Sequence, residues 1–277
     1  FHYIDGAADD EWSLSNNTRA FERYELQNRA LVDVSTIDTR TRVLGCDMPM
    51  PVILAPTGGV RLFHHQKEFA VARAAQKHGV MMSLSTVGTT SIEDVAKTYD
   101  GPKMFQVYLH KDLGLTKELV ERARAAGFKA ICLTVDTPVA GNRERDKITG
   151  LTFPPKLTLA TILACAIKPE WSLRFVFNPE FKFANIHHRL SDAGKQSQGI
   201  MSYINSQFDR TADWSGAEWL AKFWGGPFAI KGLLAADDAK RARDSGATAI
   251  MISNHGGRQL DGSSAPVDCV RPMRDAI

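Results

Sequence analysis

Short apolar runs and amphipathic stretches alternate along the chain. The run 51–56 (PVILAP) precedes a helical pattern over 66–78, the run 80–85 precedes one over 91–97, and 104–108 precedes one over 115–126. Residues 130–135 (AICLTV), 228–230 (FAI) and 248–253 form three further runs, with helical patterns over 237–244 and 267–276. Helices betray themselves by apolar residues recurring once per turn. Short continuous apolar runs are what strands covered on both faces require. Strands that alternate with helices predict a parallel sheet with crossover helices.

Two architectures satisfy that alternation: an open doubly wound sheet and a (β/α)8 barrel. No GxGxxG follows the first run, so a dinucleotide fold lacks its fingerprint. Polar residues instead recur just past the runs: Thr57, Ser85, Gln106 and Tyr108, Thr134 and Asp136, Lys231, then Asn254 and His255. Side chains at the ends of several strands converge on the C-terminal face of a barrel, which favours the (β/α)8 TIM barrel within the α/β class. Six strand–helix units are legible where a closed barrel has eight, and the chain does not begin with Met. The expectation is therefore a single domain over 1–277, truncated at both ends. One segment breaks the rhythm. About 75 residues separate the fourth run from the fifth, too long for an idle loop. This insertion or lid region, 145–215, contains the apolar stretch 157–167 (LTLATILACAI). Trp171, Phe175, Phe177, Phe181 and Phe183 follow, with Lys168, Arg174 and Lys182 among them. A lid packed on the barrel or on another subunit is the plainer expectation. A surface that lies on a membrane is the alternative.

Composition narrows the function classes. The 277 residues are 44% hydrophobic and 23% charged, an ordinary globular balance that excludes a disordered tail or a fibre. Net charge is +3 from 34 basic and 31 acidic residues, too thin an excess to argue for nucleic acid. Cys46, Cys132, Cys165 and Cys269 form no CxxC pair, so reduced thiols in the cytoplasm are expected, with no disulfide framework and no metal site. No run reaches the roughly 18 apolar residues of a spanning helix.

The densest chemistry is SNHGGRQLD, residues 253–261. His255 can take a proton near neutral pH, two glycines let the backbone turn beside a ligand, and Arg258 offers a planar fork for a carboxylate. A base beside a carboxylate clamp suits proton abstraction from an acid's α-carbon; the competing role for His255 is to cap a helix or satisfy a buried carbonyl. Lys231 closes the apolar strand FAIKG, where a cation is costly unless it meets an anion or a reacting group. Its alternatives are a Schiff base and a side chain that snorkels to solvent, and Gly232 leaves room beside it. Asp136 in LTVDTP can orient His255, or can cap the next element. Arg143 follows seven residues later as a second carboxylate contact. Gln106 and Tyr108 flank Val107, and the expectation is that both reach one ligand only if the strand bends at its end.

Taken together, SNHGGRQLD, LTVDTP with its following Arg, FQVYLHKD, LSTVGT and the opening FHYIDGAADDEWSL resemble the FMN-dependent α-hydroxy acid dehydrogenase family. That family includes L-lactate dehydrogenase, glycolate oxidase and (S)-mandelate dehydrogenase. The resemblance implies FMN as cofactor and roles residue by residue. His255 is similar to the family's base and Asp136 to its partner. Arg143 and Arg258 resemble the carboxylate clamp, and Tyr3 and Tyr108 the tyrosines that contact substrate. Lys231 resembles the lysine beside the flavin's N1 and C2 carbonyl. Ser85, Gln106, Thr134 and Ser253 resemble flavin contacts, and Pro56, Thr57 and Gly58 the loop against the isoalloxazine face. Two departures stand out. The family's phosphate loops after its seventh and eighth strands are missing, so the alternative of a non-catalytic chain unable to hold FMN stays open. Gly58 stands where oxidases of the family tend to carry Ala, which leans towards electron transfer to a quinone or other carrier and away from O2 and H2O2. The expectation is an L-2-hydroxy acid dehydrogenase, L-lactate first among substrates, cytoplasmic, peripheral on the inner membrane, and a homotetramer.

Overall fold

The computed structural model of the chain describes residues 2–150, 159–178, 180–189 and 207–277. Phe1 and part of the 145–215 region lie outside the described residues, including the start of the apolar stretch 157–167. Two short helices, α1 (His2–Asp5) and α2 (Trp12–Arg19), precede an antiparallel hairpin of β1 (Thr41–Val43) and β2 (Cys46–Met48). The alternating units follow: β3 (Ile53–Leu54), α3 (Lys67–His78), β4 (Met81–Ser85), α4 (Ile92–Thr98), β5 (Lys103–Val107), α5 (Leu113–Ala125) and β6 (Ala130–Thr134). The insertion contributes α6 (Glu144–Ile148), α7 (Leu159–Ala166) and α8 (Pro169–Val176). Then come α9 (Trp214–Trp224), β7 (Phe228–Leu233), α10 (Ala236–Asp244), β8 (Ala249–Ile252) and α11 (Pro266–Ala276).

Strands β3 to β8 form one sheet in which each pairs in parallel with its successor. A doubly wound sheet reverses direction at a switch point, whereas a sheet that winds one way throughout is built like a barrel wall. The two faces of that wall differ. Met82, Leu84, Phe105, Val107, Ile131, Leu133, Phe228 and Ile230 face outward into a core shared with the helices. The alternate residues face inward. At the strands' N-terminal ends these are Met81, Met104, Ala130, Cys132 and Ala229, which pack against Met48 of the hairpin. The inner face then turns polar along each strand: Ser85 beside Gln106, and Thr134 beside Lys231. The hairpin closes the apolar end, and the polar residues form the floor of the other. Burial pushes the Cys132 thiol up to about 12, so it stays protonated inside the wall.

Helix ends follow local chemistry. Asp112 and Asp213 accept backbone N–H bonds at the starts of α5 and α9, and Gly79 and Gly225 close α3 and α9 at positive φ. Helix α9, the hairpin and α2 lie outside the elements expected from the sequence. The hairpin strands are three residues each, too short to show a period. The insertion is fastened through α8. Arg61, 1% exposed, donates to the carbonyl of Asn178 and reaches those of Arg174 and Phe175, so its cation sits at the negative end of that helix. Trp171 Nε1 also donates to Leu62 O at 3.1 Å. The apolar residues of this region do not all pack as a lid. Ile162, Leu163, Ile167, Leu173, Val176 and Phe177 stay exposed, while Phe183 and Ile186 are buried.

Candidate active site

A cavity of about 500 Å³ opens at the polar end of the wall. Tyr3, Pro56, Thr57, Gly58, Ser85, Gln106, Tyr108, Thr134, Arg143, Lys231, Ser253, His255 and Arg258 all line it. Asp136 stands behind His255, with Oδ1 2.9 Å from Nδ1. Every residue expected at the site is thus brought to one place, from segments as distant as Tyr3 and Arg258. Gln106 and Tyr108 both face the cavity, and no bend is required. Residues two apart on a strand share a face, which corrects the expectation that only a bend would bring them together.

The loop that carries His255 is unusual backbone. His255, Gly256 and Gly257 have φ of 58°, 68° and 74° in succession. A non-glycine residue in that region costs energy and persists only when its surroundings enforce it. The enforcement comes from the N-terminal segment. Asn254 and Asn17 exchange amide hydrogen bonds at 2.7 and 3.0 Å, and Ala8 N donates to Gly257 O at 2.9 Å. Asp261 accepts from the backbone N–H of Trp12 and Ser13 at 3.1 and 2.7 Å. A Cβ on Gly257 would lie 2.7 Å from Leu14 N, so only glycine admits this docking. Gln259 donates to the carbonyls of Asp136 and Val139 and accepts from Gly141 N, tying the loop after β6 to the loop after β8. Asn17, Asp261 and Gln259 are the residues that sequence reasoning passed over, and Asn254 was noted only as a polar strand end. Asn254, Gln259 and Asp261 stand in the quoted motif, but their partners are remote in sequence.

Charge is arranged in two groups. Near the mouth, the Arg258 and Arg143 guanidinium carbons lie 5.0 and 5.3 Å from the Tyr3 ring centre. Burial, and then the neighbouring Arg143, pull the Arg258 guanidinium below its ordinary value, which still leaves it charged. Asp146, 3.7 Å from Arg143 Nε, is the nearby carboxylate, and burial raises it against the pull of both arginines. Two cations against one such acid leave an electrostatic seat for an anion. Arg258 Nη1 is spent on the carbonyls of Tyr3 and Gly6, which fixes the fork. Burial, and then the charge of Asp136, hold the Tyr108 phenol above its ordinary value, so it stays a neutral donor. On the floor, Ser85 Oγ donates to Gln106 Oε1 at 2.9 Å. Gln106 Nε2 and Thr134 Oγ1 are buried and have no hydrogen-bond partner among the described residues. Lys231, 8% exposed, has no hydrogen-bond or ion-pair partner among the described residues. Ser253 Oγ accepts from His255 N at 3.0 Å.

Among the described residues, a buried amide donor and a buried hydroxyl go unanswered beside a lysine ammonium, and together they call for a planar ligand rich in carbonyl and ring-nitrogen acceptors. The flavin ring system is such a ligand. The family model for FMN-dependent dehydrogenases matches residues 1–277. The chain belongs to that family.

Relatives of this FMN-dependent dehydrogenase family agree. The chain is 42% identical over 280 residues to an L-lactate oxidase of Nostoc sp., covering 100% of this chain and 71% of that one. It is 39% identical over 277 residues to glycolate oxidase 1 of Zea mays, covering 99% and 68%. The fold superposes on the monotopic membrane protein (S)-mandelate dehydrogenase with a TM-score of 0.93 at 33% identity, covering 99% of this chain and 72% of that one. A mandelate oxidase in complex with (S)-2-phenylpropionate gives 0.80 at 32%, covering 100% and 69%. The chain is an FMN-dependent 2-hydroxy acid oxidoreductase. FMN is its cofactor, and the unanswered donors of Gln106 and Thr134, together with Lys231, fit that group.

Proposed function

We propose that the protein oxidises an L-2-hydroxy acid, L-lactate first, to the 2-keto acid and passes the electrons to a quinone or another carrier. The observation that carries the reading is the meeting of His255, paired to Asp136, with the two guanidinium groups of Arg143 and Arg258 in one cavity. An ionised Asp136 can only accept, so His255 Nδ1 carries the proton and Nε2 keeps the lone pair. The substrate carboxylate is held by Arg143 and Arg258, with Tyr3 between them and Tyr108 as a hydroxyl donor. Forming the keto acid breaks the substrate's C2–H and O–H bonds: His255 Nε2 takes one of these hydrogens as a proton, Asp136 stabilises the imidazolium that results, and the other hydrogen leaves with the electron pair. Bound FMN supplies the two-electron acceptor. Lys231, Gln106, Thr134, Ser85 and Ser253 would hold it from the floor of the cavity, and Pro56, Thr57 and Gly58 would stand beside it.

Anaerobic addition of L-lactate to the flavin-loaded protein tests this by loss of the 450 nm band. Parallel additions of glycolate and (S)-mandelate rank the substrates, and faster bleaching by either displaces lactate. The apolar wall of Leu62, Phe63, Val87 and Phe208 is where a larger side chain would register. A second reading is an oxidase that makes H2O2, favoured by the L-lactate oxidase relative. Gly58 favours the carrier, and stoichiometric peroxide in air would decide for O2.

The reading includes peripheral membrane contact on the cytoplasmic face through α7 and α8, where Ile162, Leu163, Leu173 and Val176 stay exposed. Among the described residues no helix is long and apolar enough to cross a membrane. Sedimentation with vesicles tests the contact, and mass measurement in solution tests a tetramer.

A further inference from the structure

Gly232 follows Lys231 at the C-terminal end of β7, and two features set it apart from the rest of that strand. Its φ is 105°, outside the range that L side chains adopt readily. The ladder to β8 also slips there. Lys231 pairs with Met251 and Leu233 with Ile252, which leaves Gly232 as the extra, bulged residue. A Cβ at Gly232 would lie 2.6 Å from Asp136 Cγ, 2.7 Å from its Cβ and 2.9 Å from its backbone N. Side chains do not pack that closely, so the carboxyl arm of Asp136 lies directly on the bare Cα of Gly232. Expected from sequence as room beside Lys231, the missing side chain also makes room for Asp136.

The other sides of Asp136 are held as well. Its carbonyl accepts from Gln259 at 3.2 Å, and the preceding Val135 N donates to Lys231 O at 2.9 Å. Its Oδ1 meets His255 Nδ1, while Oδ2 is buried without a hydrogen-bond partner among the described residues. A carboxylate with one free oxygen can swing unless packing stops it. The bulge supplies that stop.

We propose that Gly232 is a positioning residue for the acid–base pair: its bulge is a seat, open only to a residue without Cβ, that sets Asp136 against His255. The inference rests on the proton-accepting role proposed for His255. It also ties the strand that presents Lys231 to the pair, so one backbone irregularity places both groups.

The test uses the flavin-loaded full-length protein and follows flavin reduction in a stopped-flow instrument. Gly232→Ala is expected to slow reduction about 100-fold, the scale of an ångström of misplacement at a reacting group. KM should move less than about threefold, because neither arginine touches Gly232. On an Asp136→Ala background, which removes both the charge and the acceptor, adding Gly232→Ala should cost less than about threefold, since the group it positions is already lost. Independent, multiplied losses would overturn the proposal, as would a shift in KM as large as that in kcat. Asp136→Glu covers the case in which Gly232→Ala fails to fold. It keeps the charge and leaves β7 untouched, but is one methylene too long for the seat, and a loss above about 30-fold with flavin retained is expected. Turnover by Asp136→Glu at the parent rate refutes the seat. His255→Gln separates the two ideas: if it keeps turnover the base assignment itself falls, and if it abolishes turnover the seat stands or falls on the other variants.

Discussion

Replacing Asp136 by Asn isolates what its charge contributes. Asn is nearly isosteric, and its carbonyl can still accept from His255 Nδ1, so the tautomer that exposes Nε2 survives. What disappears is the negative charge facing the imidazolium once the substrate proton has moved. The atoms are 2.9 Å apart, with side chains 29% and 12% exposed. With charge centres about 4 Å apart and an effective dielectric of about 20, the lost attraction is about 4 kcal/mol. That is about a thousandfold in rate, less what the retained hydrogen bond recovers, so a loss of 100- to 1,000-fold in flavin reduction is expected. Because Asp136 does not hold the substrate carboxylate, KM should stay within a few-fold. Anaerobic stopped-flow reduction at saturating L-lactate, with flavin content measured beforehand, gives the number. A loss below about fivefold with flavin fully bound would mean that Asp136 is a structural partner and that His255 acts without its charge.

Three other outcomes follow from the same geometry. Arg258→Lys loses the planar fork and its bonds to Tyr3 and Gly6, so KM should rise 10- to 100-fold with kcat less affected; an unchanged KM would remove Arg258 from the clamp. Burial lowers the His110 imidazole to about 4 from an ordinary value near 6.5. The unfolded chain therefore binds the extra proton between those values, and stability present above pH 6.5 is lost as pH falls towards 4, by about 3 kcal/mol. His110→Gln should flatten that part of a denaturant-midpoint profile, and an unaltered slope would assign the loss elsewhere. Gly58→Ala places a Cβ 2.6 Å from Val87 Cγ2, so Val87 must turn or the loop must shift, with destabilisation of about 1–3 kcal/mol expected. An unchanged melting temperature would show that Val87 gives way freely.

Much of the site could be read before any fold was known, for an identifiable reason. The residues that line the cavity stand at strand ends, and strand ends are marked by the change from apolar to polar. Thr134 and Asp136 close AICLTV, Lys231 closes FAI, and His255 follows the last run. The supports of these residues were not readable. Asn17 pairs with Asn254 across 237 residues, Gln259 reaches Asp136 across 123, and the hairpin that closes the inner face has three-residue strands. None of these leaves a local period or spacing.

The amino-acid sequence by itself determined the order of strands and helices, the inward alternation of small and polar residues, and the chemical groups available at each strand end. These are local properties, set by side-chain periodicity and by which residues tolerate burial. Only the tertiary structure decided which of those groups touch. It bends His255 into left-handed backbone under the N-terminal segment, lays Asp136 on Gly232, and brings Gln106, Thr134 and Lys231 to the same space, the first two with side-chain atoms that lack a partner among the described residues. Contacts of that kind depend on winding the sheet into a barrel wall, which brings strand ends together regardless of their distance along the chain.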